Sequence, residues 1–91
     1  MTVVEKAATL IKLMGGISNI RRIDVVQRGV DGLIFLIDNK PDIRQIKAMQ
    51  GVIDVEADSP TVITVRFGEN GTAQELFKWM ELIFRHAKPT E

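Results

Sequence analysis

Apolar residues recur every three or four positions in three stretches of the chain, a spacing that predicts three helices. The predicted helices span about residues 3–14, residues 43–51, and residue 72 to about Pro89. The first and third begin with a Thr and a Glu at the spacing of a capping box. These pairs are Thr2 with Glu5 and Thr72 with Glu75. The apolar stripes contain Val4, Ala7, Ala8, Ile11 and Met14 in the first helix and Ala73, Leu76, Phe77, Met80, Ile83, Phe84 and Ala87 in the third.

Four shorter stretches are rich in β-branched and alternating apolar residues, which predicts strands. They lie at residues 19–28, 33–37, 52–57 and 61–67. Turn residues at 29–32 and 58–60 join them into two hairpins. The order α-β-β-α-β-β-α predicts an α+β fold, a four-stranded antiparallel sheet with three helices on one face. Because no linker is long enough to divide the chain, residues 1–91 are expected to form a single domain.

Composition narrows the possible functions. The chain has 91 residues and no cysteine, which removes disulfides, thiolate metal sites and cysteine nucleophiles and suits a reducing cytoplasm. Twelve basic and twelve acidic residues balance, so no electrostatic signal favours nucleic acid. The N-terminus is unlike a secretory signal, and no segment approaches the roughly 18 apolar residues of a membrane span. We expect a soluble cytoplasmic protein without direct membrane insertion.

The polar residues form no recognisable catalytic or cofactor site. His86, the only histidine, lies near the end of the third helix, where the helix dipole favours a cation. The carboxylates lack metal-loop spacing, and the loop at residues 68–71 lacks the lysine of a phosphate loop. Arg21, Arg22 and Arg28 cluster around the first strand and favour either a bound anion or ordinary solvated side chains. We therefore expect no catalytic residue, metal or cofactor.

The third helix carries a second apolar face outside its core stripe. Trp79, Leu82 and His86 share this face at spacings of three and four residues. Tryptophan is enriched at binding hot spots, and monomers rarely expose such patches without use. These three residues are candidate contacts for a protein partner. The alternative is that a wide-faced helix buries Trp79 at the sheet edge.

Residues 13–24 resemble the opening of the IIB domain of the glucose family in bacterial sugar phosphotransferase systems. There a helix is followed by two glycines, two variable residues, Asn-Ile, and then a hydrophobic residue and Asp shortly before a cysteine. Gly15-Gly16 and Asn19-Ile20 match this pattern. Residues 46–53 resemble the family's Leu-Lys-x-Leu-Gly-Ala-x-Gly-Val stretch in shortened form, and residues 65–68 resemble the end of its closing strand. The similarity spans about residues 3–87.

The resemblance implies the same architecture as the pattern, and it also implies a lost active site. In the family the cysteine accepts a phosphoryl group from a IIA protein and passes it to the sugar held by the membrane IIC domain. Here the matching position is Val26, which has no nucleophilic atom. The following loop does not reproduce the family's Thr-Arg pair; it contains Gln27, Arg28, Gly29, Val30 and Asp31. Arg28 partly replaces the missing positive charge, whereas Asp31 opposes an incoming phosphate.

The leading hypothesis is therefore a non-catalytic IIB-like domain that binds or regulates another protein, either a phosphotransferase component or a regulator. A second hypothesis is a small-ligand-sensing or self-associating structural module that shares the fold. The apolar run at residues 33–37 favours it, because an exposed sheet face can pair with another copy to make a homo-oligomer. A third hypothesis is an enzyme that uses Asp24 or Arg28 in a new role.

Overall fold

The computed structural model describes residues 2–87, which form three helices and four strands. The elements are α1 (Val3–Leu13), a 3₁₀ turn (Ile17–Asn19), β1 (Ile20–Val25), β2 (Gly32–Ile37), α2 (Ile43–Lys47), β3 (Val52–Ser59), β4 (Val62–Phe67) and α3 (Thr72–Ala87). The strands form one sheet in the order β1-β2-β4-β3, and all neighbours are antiparallel. The predicted α+β class and element order are confirmed. Pro89, where the third helix was predicted to end, lies outside the described residues.

The hydrophobic core lies between one face of the sheet and the three helices. Side chains alternate between the two faces of a strand, so partners in register point the same way. Leu33 lies opposite Val65 and Phe35 opposite Ile63, and all four are fully buried. The helices supply the other side of this core with Ala7, Leu10, Ile11, Met14, Ile46, Met49, Ala73, Leu76 and Met80. All three helices therefore cover the same face of the sheet, as predicted.

The opposite face of the sheet carries a short aliphatic strip among polar groups. Ile34, Leu36 and Val62 are half-buried and lie outside the core. Next to this strip, the Thr64 hydroxyl donates to Asp58 Oδ2 at 3.0 Å. The apolar run at residues 33–37 thus contributes alternate residues to the core and to this second face.

Several element boundaries differ from the sequence prediction. β1 ends at Val25 instead of residue 28, because the Val26 amide donates to the Gly32 carbonyl and closes the loop. α2 ends at Lys47 and not at Gly51, because the following Met49 amide donates to a carbonyl only three residues back. β3 continues to Ser59, which lies opposite Val62, so the second hairpin turn is tighter than predicted.

The predicted capping box at the start of α1 is confirmed. The Glu5 amide donates to Thr2 Oγ1 at 3.1 Å, and the Thr2 amide donates to Glu5 Oε1 at 3.0 Å. The hydrogen bond from the Thr2 backbone lowers the pKa of the Glu5 carboxyl group most, and the hydrogen bond with the Thr2 side chain lowers it further.

A buried asparagine joins the end of α1 to the turn that follows β2. Asn19 Nδ2 donates to the carbonyls of Met14 at 2.6 Å and Asn39 at 2.8 Å, and its Oδ1 accepts the Asn39 amide at 2.8 Å. Gly15 and Gly16 have φ of 99° and 91°, a region that side chains with a Cβ rarely adopt. A Cβ on Gly15 would also lie 2.7 Å from Asn19 Nδ2. The Gly-Gly-x-x-Asn pattern therefore has a structural explanation in this chain.

Replacement of Asn19 by Ala should destabilise the domain, because it removes the partner of the Asn39 amide and of the Met14 and Asn39 carbonyls. We expect the free energy of unfolding to fall by about 1–3 kcal/mol, measured by urea denaturation. The exposed neighbour Ser18 provides the control, and Ser18→Ala should change it by no more than about 0.5 kcal/mol. Equal stability of the two variants would show that the hydrogen bonds of the Asn19 side chain are not important for the stability of the domain.

Candidate functional site

The first candidate region is the β1–β2 loop, where the resemblance locates the lost phosphorylation site. Val26 is half-buried, and its side chain consists of carbon alone. The Gln27 side chain turns back and donates to the Val25 carbonyl at 3.2 Å. Arg28, Gly29 and Val30 are exposed. Among the described residues Arg28 takes part in no hydrogen bond or ion pair, so its guanidinium remains available to solvent.

Asp31 ties this loop to two distant elements. Its backbone carbonyl accepts the Phe67 amide of β4 at 2.8 Å. Its carboxylate Oδ2 accepts the Ala73 amide, in the first turn of α3, at 2.7 Å. A carboxylate at this place both satisfies a free amide and complements the helix dipole. Asp31 is therefore an N-terminal cap that comes from 42 residues earlier in the chain.

This cap replaces the capping box that the sequence predicted for α3. Thr72 already lies inside the helix, and the Glu75 amide donates to the Gly71 carbonyl. Between these described residues the reciprocal side-chain bonds do not form, so that prediction was wrong. The loop at residues 68–71 leads into this helix terminus, where the protein's own carboxylate already accepts the Ala73 amide. An external anion would have to displace it.

Arg66 holds the other side of the same loop, a role that was not predicted from the sequence. Its Nη1 donates to the Val30 carbonyl at 2.8 Å, and its Nε donates to Glu56 Oε1 at 3.0 Å. The neighbouring strands come very close here, since a Cβ on Gly32 would lie 2.7 Å from the Val65 carbonyl oxygen. The only sequence signal for Arg66 was its outward position in an alternating strand. These bonds use the guanidinium for internal support of the loop.

The predicted arginine cluster around β1 does not converge on one site. Arg21 donates a hydrogen bond to Asp38, which raises the pKa of the Arg21 guanidinium. Arg22 pairs with Asp24 on the same strand, with Nε 3.0 Å from Oδ2. Both guanidinium groups thus have a carboxylate partner, while Arg28 lies beyond the end of the strand. This arrangement fits the solvated interpretation better than a shared anion site.

The second candidate region is a groove between α3 and α1. Its volume is about 490 Å³, and it is lined by Val4, Trp79, Leu82, Ile83 and His86. Trp79 is half-buried and packs partly against the core, so it combines the two interpretations offered by the sequence. The sequence assigned Val4 and Ile83 to the core stripes, yet Val4 is 44% exposed. His86 is the only polar member of the lining, so the groove is almost entirely apolar.

A third concave region lies between β1 and α3, on the other side of that helix. It encloses about 470 Å³ and is lined by Arg21, Arg22, Ile23, Asp24, Phe77, Glu81 and Phe84. Phe77 and Phe84 are half-buried and pack against the core, so this groove has an aromatic floor and a charged rim. The sequence predicted both phenylalanines as core residues and did not predict the groove.

Residues 2–87 contain no group of three or more histidine, aspartate or glutamate residues placed to hold a metal ion. In the same part of the chain, no helix is long and apolar enough to cross a membrane. Comparison with family models, curated proteins and solved structures finds no match to this chain. The two grooves and the β1–β2 loop are therefore the candidate functional regions of the described residues.

Removal of the Asp31 carboxylate should destabilise α3. We expect Asp31→Ala to lower the free energy of unfolding by about 0.5–2 kcal/mol, the usual effect of losing a helix cap. Asp31→Asn keeps an acceptor oxygen and loses only the charge, so its effect should be smaller, at about 0.3–1 kcal/mol. Urea denaturation measures both.

Arg28→Ala is the control in the same loop and should change the stability by no more than about 0.5 kcal/mol. If Asp31→Ala were as stable as Arg28→Ala, the contact with Ala73 would not act as a cap.

Proposed function

We propose that this chain is a non-catalytic IIB-like domain of the glucose-family type that binds a protein partner in the bacterial cytoplasm. The partner in this proposal is a component of the sugar phosphotransferase system or a regulator linked to it. The apolar groove formed by Val4, Trp79, Leu82 and Ile83 carries the proposal, because it is the surface best suited to hold an apolar segment of another protein. No cofactor takes part.

The architecture supports the IIB-like part of the proposal. The observed order of elements and the helices gathered on one sheet face are the arrangement that the resemblance implies. Fold alone does not determine function, so this support is limited to the scaffold.

The β1–β2 loop supports the non-catalytic part of the proposal. A phosphoryl carrier needs a nucleophilic atom and a cationic pocket for the transferred group. Val26 offers no such atom at the matching position. The Asp31 carboxylate occupies the nearby helix terminus, and Arg66 is engaged with Val30 and Glu56. The loop closes the sheet and leaves Arg28 as its unengaged cation.

The groove between α1 and α3 supports the protein-binding part of the proposal. Trp79 is half-buried and packs partly against the core. Because this packing already restricts the ring, it presents a large apolar area at little cost in conformational entropy. Walls from two helices accept an amphipathic helix or an apolar side chain, as in helix-in-groove recognition. The imidazole of His86 at the rim adds one polar contact for orientation.

The experiment is an affinity capture from source cells with the tagged domain and three variants. Trp79→Ala removes the anchor from α3. Val4→Glu places a charge in the groove from the first turn of α1, where the helix dipole favours an acid and the fold should be kept. Lys78→Ala is the control, because Lys78 is exposed on α3 and does not line the groove.

We expect the wild type and Lys78→Ala to retain a phosphotransferase component or a regulator. Trp79→Ala and Val4→Glu should weaken its binding by at least about 2 kcal/mol, roughly thirtyfold in Kd. Thermal denaturation of each variant separates loss of binding from loss of fold. Equal retention by all four proteins would show that the groove is not the docking surface, and a partner outside these two classes would contradict the proposed role.

A further inference from the structure

β1 forms an edge of the sheet, with β2 on one side and no other strand of residues 2–87 on the other. The Val26 amide donates to the Gly32 carbonyl, so Val26 and Gly32 form a hydrogen-bonded pair of the antiparallel ladder. Hydrogen-bonded and non-hydrogen-bonded pairs alternate along such a ladder. The pairs of Ile23 with Phe35 and of Val25 with Leu33 are therefore non-hydrogen-bonded. The amides and carbonyls of Ile23 and Val25 consequently point away from the sheet.

Part of this free edge is already occupied. The Gln27 side chain donates to the outward Val25 carbonyl at 3.2 Å. A register irregularity between Ile20 and Arg22 also interrupts the strand, as bulges often do at sheet edges. The regular open segment is therefore short and centred on Ile23, which offers both an amide and a carbonyl.

Two of the three charged residues of β1 lie symmetrically about Ile23, and the third, Arg21, is paired with Asp38. Arg22 and Asp24 flank Ile23 on the face opposite the helices, and their side chains are 69% and 42% exposed. If two copies of β1 pair antiparallel about Ile23, Arg22 of each copy lies opposite Asp24 of the other. Opposite charges at such cross-strand positions are favourable, and like charges are unfavourable. The strand is therefore complementary to itself in this register.

The other edge of the sheet has a different charge pattern. The charged residues of β3 are Asp54, Glu56 and Asp58, all acidic. Two copies of β3 would bring like charges together, and irregularities interrupt the register near both of its ends. Charges and bulges of this kind are the usual protection of an edge strand. Of the two edges, only β1 carries charges of both signs.

The groove beside β1 would be covered by the same pairing. Ile23 forms one wall of this groove, and Phe77 and Phe84 of α3 form its floor. A two-fold axis at Ile23 brings the two isoleucines together on the helix side of the sheet and places the aromatic floors of both copies near the interface. The pairing thus adds burial of apolar surface to the backbone hydrogen bonds.

We propose that β1 is a self-association edge, at which two copies of this chain pair antiparallel about Ile23. The two four-stranded sheets then join into one continuous sheet of eight strands. The two Ile23 residues exchange backbone hydrogen bonds, and Arg22 and Asp24 of both copies form a cluster of alternating charge. This surface is separate from the Trp79 groove, which lies on the α1 side of α3.

Sedimentation velocity of the whole chain at concentrations up to about 1 mM tests the pairing, with charge-reversal variants at the two exposed positions. Arg22→Glu makes both flanking positions acidic, and Asp24→Arg makes both basic. Each variant should be monomeric alone at concentrations where the wild type dimerises. Mixing the two should restore a dimer of one copy of each, and the double variant that carries both substitutions should again pair with itself.

Arg44→Glu is the matched control, because Arg44 is 94% exposed on α2 and far along the chain from β1. It changes the net charge by the same amount as Arg22→Glu and should leave dimerisation unchanged. Amide hydrogen exchange supplies a local readout, in which the Ile23 amide should become protected as the wild-type dimer forms.

Four outcomes would overturn the proposal. One is a wild type that stays monomeric over the whole concentration range. This holds even if a peptide from another protein protects its Ile23 amide. A second is a dimer that survives both reversals and disappears in Trp79→Ala. A third is assembly that grows beyond a dimer, as pairing of β1 with β3 would cause. The last is failure of the mixed variants to associate although each remains folded.

Discussion

The buried amide of Asn19 is the contact on which the arrangement of the helices around the sheet depends. It links the end of α1, the start of β1 and the turn after β2 through bonds to Met14 and Asn39. Gly15 makes room for it, since any Cβ at that position would meet the Asn19 side chain. A buried amide with partners on three sides allows one geometry, because any displacement leaves polar atoms unpaired. α1 is thereby fixed against the sheet, which in turn positions the groove that it shares with α3.

Asp31 plays the corresponding role at the other end of the sheet. Its two bonds connect the β1–β2 loop to the end of β4 and to the start of α3. In a IIB-like phosphoryl carrier this region would hold the reactive group, whereas in this chain it connects the β1–β2 loop to β4 and α3. The proposed loss of phosphotransfer and the stability of α3 therefore have a common physical basis. The two surfaces left for interaction, the Trp79 groove and the β1 edge, lie on opposite sides of α3.

Local features of the sequence were sufficient to predict the elements and their order. The Thr2–Glu5 capping box depends on residues close in sequence and forms as predicted, and the two glycines that follow α1 adopt positive φ. The same spacing at Thr72 failed, because the amide of Ala73 is bound by a residue 42 positions away, and no local pattern carries that information. Arg66 was missed for the same reason. The composition of both grooves was only partly predictable, since Val4 and Phe84 have the helical spacing of core residues and their exposure depends on how α1 and β1 pack beside α3.

We propose that this domain keeps a IIB-like scaffold and binds proteins without carrying a phosphoryl group. The most direct test is the intact mass of the protein after incubation with phosphoenolpyruvate, the general phosphotransferase proteins and a IIA protein, with a cysteine-containing IIB domain treated with the same mixture as the positive control. We predict that the control gains one phosphoryl group and that this chain keeps its mass, because position 26 has no nucleophile. A stable gain of one phosphoryl group by this chain, at His86 or elsewhere, would contradict the account.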